Sequence, residues 1–146
     1  EARQQLDQVL DAAAAQQDVV VFSDGQGWTV RHLAVHLADA DQGNSRQVMG
    51  IAVGQEVIPP DFDIDRYNRR TIEKRGAMTF AEARAALAAS RADLLAWLDT
   101  ADDAALDAQG RHATLRIMSV ADILDLMAAH ERMHAADIAR AAGLAT

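Results

Sequence analysis

The sequence predicts an all-α protein, a single domain over residues 1–146 built as a four-helix bundle. Two observations lead there. Half of the residues are hydrophobic while only 4% are aromatic, and alanine makes up much of the difference; alanine is the best helix former and a poor strand residue. Four stretches also repeat their apolar residues at intervals of three and four, which gathers them on one helical face. Three of the four open on a residue type that caps helices.

Taken in order, residues 3–16 carry Leu6, Val9, Leu10 and Ala13 at helical spacing and form the first helix. The stretch "VVVFSDGQGW" is rich in β-branched residues, but Gly25 and Gly27 interrupt it, and it reads as a connector. Thr29 caps a second helix of about 24 residues whose stripe is Val30, Leu33, Leu37, Ala40 and Asn44. Gly54 and the Pro59-Pro60 pair end it. "DIDRYNRRTIEKR" at 63–75 is a short polar helix or an extension of the third; its basic residues could bind an anion, but interleaved with Asp63, Asp65 and Glu73 they read as a salt-bridged helix. "TFAE" at 79–82 is a capping box, and the third helix runs to about Leu98 through Ala83, Leu87, Leu94 and Trp97. Residues 99–118 have no sustained period and read as a long connection with room for one short turn. "SVAD" at 119–122 is a capping box with Asp in place of Glu, and the fourth helix turns Val120, Ile123, Met127 and Ile138 inward.

Composition narrows the function. The balance of 22 acidic against 14 basic residues gives a net charge of −8, a field that repels nucleic acid. Without cysteine the chain has no disulfide and no thiolate of its own. No apolar run reaches the roughly 18 residues of a membrane span. The expectation is a cytoplasmic protein with a small-molecule substrate and neither nucleic acid nor membrane as partner. Alanine- and leucine-rich helix faces leave a homodimer open.

The chemistry lies in the histidines. "HERMH" at 130–134 spells the H-E-x-x-H of zinc peptidases, and His130 and His134 fall in the gap of the last helix's apolar stripe. Residues four apart point the same way, about 6 Å apart along the axis. Burying both imidazoles is costly unless their nitrogens are satisfied, either by a divalent metal or by backbone and carboxylate partners. "RHLAVHLAD" supplies another pair. With Leu33 as the centre of its stripe, His36 lies about 60° off and faces the core, whereas His32 lies about 100° off, at the rim. His36, His130 and His134 together make three nitrogen ligands with a coordination position left open, as in catalytic zinc sites. His112 falls in the irregular connection and reads as a surface residue.

A peptidase needs a further ligand, usually downstream, and after His134 only "AADIARAAGLAT" remains. An upstream ligand on another helix is the better solution, which argues against a protease.

"GWTVRHLAVHLADAD" at 27–41 resembles the W-[ST]-x-x-x-[LVI]-x-x-H-[LI] signature of DinB/YfiT-like proteins, and "SVADILDLMAAHERMHAADI" at 119–138 is similar to their last helix. The group includes metal-dependent hydrolases and thiol-dependent transferases and isomerases. The resemblance implies a four-helix bundle with a long crossover connection and a metal held by His36, His130 and His134. This set is more similar to that of the hydrolases and bacillithiol transferases than to the mycothiol-dependent maleylpyruvate isomerases, which tend to have glutamate at the position of His130. His134 and Asp137 keep an H-x-x-D step similar to that last branch.

The expected activity is therefore that of a metal-dependent enzyme, with zinc or nickel as the ion, acting as a small-thiol-dependent transferase or as a hydrolase. The thiol would come from a low-molecular-weight cosubstrate, since the chain has no cysteine. Glu131 is a candidate general base by analogy with the peptidases, or a salt-bridged surface residue. Asp137 either orients His134 through its second nitrogen or is a solvated helix charge. Arg132 and Arg140 are surface residues that could meet a carboxylated substrate. The alternative class is a non-catalytic metal-binding or stress-response bundle. An enzyme requires an open site beside a concave pocket, a passive binder a closed one.

Overall fold

A computed structural model describes residues 1–22 and 27–144, so Gly25 and its neighbours lie outside the described residues. Among these are six helices: α1 (Ala2–Ala12), α2 (Val30–Ala52), α3 (Ile64–Arg75), α4 (Phe80–Leu98), α5 (Asp103–Asp107) and α6 (Val120–Ala141). A two-stranded antiparallel hairpin, β1 (Gln109–Arg111) and β2 (Ile117–Ser119), precedes α6. The bundle consists of α1, α2, α4 and α6. Helix α1 packs along α6, α6 along α2 and α2 along α4, while α3 lies in the crossover and rests on α2.

The capping signals form as the sequence implies. Thr79 accepts from Glu82 N–H while the Glu82 carboxylate accepts from Thr79 N–H at 2.8 Å, and Ser119 and Asp122 do the same for α6. At α2 the reciprocal partner of Thr29 is His32, whose Nδ1 accepts from Thr29 N–H at 3.2 Å. Helix α3 is separate from α4: Asp63 caps its start and it ends at Gly76. Of its basic residues only Arg75 makes an ion pair among the described residues, and it does so with Asp39 of α2. The first helix is shorter than its spacing suggests. It stops at Ala12 and tightens into a 3-10 turn at Ala14–Gln16.

The apolar core has two parts. One gathers Leu6, Leu10, Val30, Leu33, Leu37, Leu87 and Ile138, the other Val48, Ile51, Leu94, Met118, Ile123 and Met127. Trp97, at the end of the apolar series of α4, is half-buried against the second part. Along α2, α4 and α6 the stretch between the two parts carries buried polar residues: Asp41 and Ser45, Ser90, and Glu131 and His134. A polar layer thus crosses the bundle where apolar packing is interrupted.

The segment 99–118 is more ordered than its composition suggests. Asp102 caps α5 by accepting from Ala105 N–H at 2.9 Å, and the hairpin follows. Three-residue strands are too short for alternation to be legible, and contacts of β1 with α2 and of β2 with α6 hold them in place. The buried Gln47 side chain of α2 donates to Arg111 O. Gly110 lies so close to α2 that a Cβ on it would come within 2.5 Å of Ile51 Cγ1 and 2.7 Å of its Cδ1. Gly110→Ala is therefore expected to destabilise the protein by about 1–3 kcal/mol, as overpacking does. A urea denaturation curve superimposable on that of the wild type would contradict this packing.

Candidate metal centre

Three of the five histidines converge. His36 projects from α2 and His130 and His134 from α6; His36 and His134 are buried and His130 is half-buried. The Nε2 of His130 lies 3.2 Å from Nε2 of His36 and 3.0 Å from Nε2 of His134. One ring nitrogen from each comes within 4.8 Å of the other two. The rings stand at 77–87° to one another, so their edges and not their faces meet. Trp28 packs on His36 at 5.4 Å between ring centroids, and Phe22 meets His134 edge-on at 6.2 Å.

This trio fits a cation better than it fits itself. The Nε2 of a neutral imidazole either carries a proton or offers a lone pair. His130 Nε2 touches both other nitrogens, so it can donate to only one of them or accept along one direction. One contact in the trio therefore stays unmatched. A divalent ion accepts all three lone pairs, and nitrogens about 2.0–2.1 Å from a tetrahedral centre lie roughly 3.3 Å apart, close to the two separations seen here.

The electrostatics favour the same state. Burial, reinforced by His130 and His134, pushes His36 down to about 3, and burial with His134 and His112 pushes His130 down to about 4. Burial also lowers His134, with Asp137 opposing the shift. All three imidazoles are neutral near pH 7, the form that binds metal. The depression has a consequence for the metal-free protein. An unfolded histidine takes up its proton near pH 6.5, whereas folded His36 does so near 3. In that window the unfolded chain binds more protons, so stability is full above about pH 6.5 and falls as the pH drops toward 3. Urea titrations of metal-free protein between pH 7 and 4 are expected to show this decline, and a flat profile would contradict the neutral buried trio.

The other residues singled out by sequence take distinct places. Asp137 Oδ2 lies 3.4 Å from Nδ1 of His134, near the ring but outside good hydrogen-bond geometry, and its Oδ1 accepts from Arg140 at 3.3 Å. Glu131 lies on the far side of His130, only 4% exposed, with Oε1 at 2.5 Å from both Arg3 and Arg91. Both arginines also reach Oδ1 of Asp41 at 3.0 Å. A void of about 10 Å³ beside the quartet is lined by Asp41 and Glu131 together with His130 and Met127. His32 caps α2 and stays outside the trio. His112, expected at the surface, is 5% exposed because the hairpin folds it inward.

The trio opens onto a cavity of about 770 Å³. Its walls are largely apolar, with Phe22, Trp28, Val57, Ile58, Phe62 and Met133 among them. The polar groups there include Asp39, Arg46, Tyr67 and His112, none of which the sequence marked as functional. Asp39 is a hub: its Oδ2 accepts from Tyr67 Oη at 2.9 Å and Thr71 Oγ1 at 3.3 Å, and its Oδ1 meets Arg75 at 2.6 Å. Those bonds tie the crossover helix α3 to α2 at the cavity wall. Burial and Asp39 raise the pKa of Tyr67.

The family model of the DinB superfamily matches residues 1–138. The chain belongs to the DinB superfamily. Among solved structures it is similar to YfiT from Bacillus subtilis, described as a probable metal-dependent hydrolase with an unusual four-helix bundle topology. The identity is 23% and the TM-score 0.77, over 99% of this chain and 83% of that one. That likeness establishes the bundle topology for this DinB-superfamily chain. No curated protein matches it. No helix among the described residues is long and apolar enough to cross a membrane.

Proposed function

We propose that this protein is a metal-dependent hydrolase in which His36, His130 and His134 hold one divalent ion, zinc or nickel, at the wall of a cavity that takes a small, largely apolar substrate. The observation that carries the reading is the convergence of three neutral imidazoles whose nitrogens cannot all satisfy one another, beside a cavity of about 770 Å³. When bound, an ion with an open position acts as a Lewis acid and lowers the pKa of water or of a thiol. The chain's residues do the remainder. Trp28 and Phe22 shield the imidazoles, and the apolar walls exclude water from the substrate's body. Asp137 steadies His134. The similarity of YfiT, a probable metal-dependent hydrolase, supports the reaction class. A small-thiol-dependent transferase is the finer form of the reading, with the sulfur supplied by a cosubstrate because the chain has no cysteine. An open cavity favours turnover over passive metal storage.

Asp137→Asn is expected to weaken zinc binding by about 10–100-fold, as loss of a partner behind a ligand does; competition against a chromophoric chelator measures it, and unchanged affinity would leave Asp137 a simple surface charge. Activity is tested with zinc-loaded protein on nitrophenyl esters, and on a small thiol paired with an aryl halide. Turnover that a chelator removes and zinc restores supports the proposal, and the substrate that responds separates hydrolase from transferase. Rates on both that are identical with and without metal would reject it.

A further inference from the structure

The cavity contains a fourth imidazole whose protonation is dictated by its own turn. His112 begins the tight turn between the strands: its N–H donates to Arg116 O and its carbonyl accepts from Leu115 N–H, both at 2.8 Å. Leu115 closes that turn at φ 66°, a left-handed conformation that a leucine rarely adopts. With Gly110 seated against Ile51 and Gln47 bonded to Arg111 O, the ring is held on a fixed support.

The Nδ1 of His112 lies 3.2 Å from the backbone nitrogen of Thr114 and 3.0 Å from its Oγ1. A backbone amide only donates, so Nδ1 presents its lone pair, and the neutral ring carries its proton on Nε2. Burial and Arg116 keep the ring neutral by lowering its pKa. Among the described residues Nε2 has no hydrogen-bond partner, nor is it sealed within protein. The ring lines the same cavity as His36, His130 and His134, yet lies outside the group whose nitrogens gather within 4.8 Å. The result is an N–H donor, fixed in tautomer and position, on the wall of a cavity whose surface is mostly apolar.

We propose that His112 binds the substrate, its Nε2–H donating a hydrogen bond to a carbonyl-type oxygen held in the cavity beside the three-histidine cluster. The inference rests on the reading of this cavity as the substrate site and narrows the substrate to a molecule with an apolar body and such an oxygen. It also gives the cavity a donor that does not depend on the ion.

The competing role for His112 is to brace the turn, and two substitutions separate the roles. His112→Asn keeps an acceptor near Nδ1 and removes the reach of Nε2; His112→Gln keeps a donor near Nε2 and gives up the brace. The probe is acetanilide, a neutral aryl amide, titrated into metal-free protein. Long-range ¹H–¹⁵N spectra read the His112 tautomer, and the emission of Trp28 reads occupancy. The expected results are an Nε2-protonated ring, an Nε2–H resonance that moves with acetanilide, and binding weakened about 3–10-fold in His112→Asn but not in His112→Gln, the range one neutral hydrogen bond spans. An Nδ1-protonated ring, an Nε2–H resonance that stays put whether or not Trp28 responds, or wild-type binding by His112→Asn would each overturn the proposal. So would loss of zinc affinity in both variants, which would make His112 a ligand. Failure of the wild type to bind zinc would reject the metal centre and leave these readings decisive, because they are made without metal.

Discussion

Replacing His36 with alanine is expected to abolish measurable zinc binding at micromolar metal while leaving a folded bundle. His36 is the only one of the three histidines on α2; without it two imidazoles on one helix remain, too few for the proposed three-nitrogen site. The loss should exceed the 10–100-fold typical of removing a partner behind a ligand. The size of the effect on folding depends on the conditions. Truncating a buried side chain leaves a cavity and costs stability, but this side chain also brings the depressed pKa that weakens the metal-free protein in acid. The variant should therefore be less stable than wild type at pH 7.5 with zinc present. Without metal it should narrow that gap steadily as the pH falls below 6.5, the range in which unfolded histidine protonates. Thermal denaturation at four or five pH values, with zinc and with chelator, measures both. A variant that retains zinc affinity would show that the trio is a packed set of core histidines.

The second large effect is expected at Glu131. Its carboxylate lies 2.5 Å from both Arg3 and Arg91, and Asp41 balances the second positive charge. Glu131→Ala leaves two half-buried guanidinium groups sharing one carboxylate, a break that costs up to about 3–5 kcal/mol. For a domain of this size that upper figure corresponds to a fall in Tm of roughly 10 °C or more. Turnover per folded, zinc-loaded molecule should change little, because Glu131 does not line the large cavity and its carboxylate is taken up by Arg3 and Arg91. A general base would behave in the opposite way, with activity lost by about 10²–10⁴-fold and the fold intact. Melting temperature and kcat of this one variant thus separate the two roles.

The bundle was legible because its signals are local. Thr79 with Glu82 and Ser119 with Asp122 announce helix starts, and the stripes through Leu33 and Leu37 or Ile123 and Met127 need only a period to be seen. The histidine pairs were legible for the same reason, and angular position alone separates the inward His36 from the capping His32. Glu131 was harder. The buried stripe of α6 runs through 127, 131, 134 and 138, so the position after Met127 that continues it is a glutamate. That gap was visible, but the arginines that neutralise the charge come from α1 and α4, far away in sequence. His112 and Asp39 depend on contacts of the same long-range kind. A hairpin with three-residue strands carries no readable period, and its inward ring follows from the approach of Gly110 to Ile51. The role of Asp39 as a hub appears only when α3 folds back across α2.

The most direct test of the metal centre is an anomalous difference map measured at the zinc edge from crystals of zinc-loaded protein. One peak bonded to Nε2 of His36, His130 and His134, with its remaining position facing the cavity, is the predicted result. A map with no peak among these three nitrogens, from crystals grown with zinc in excess, would contradict the account.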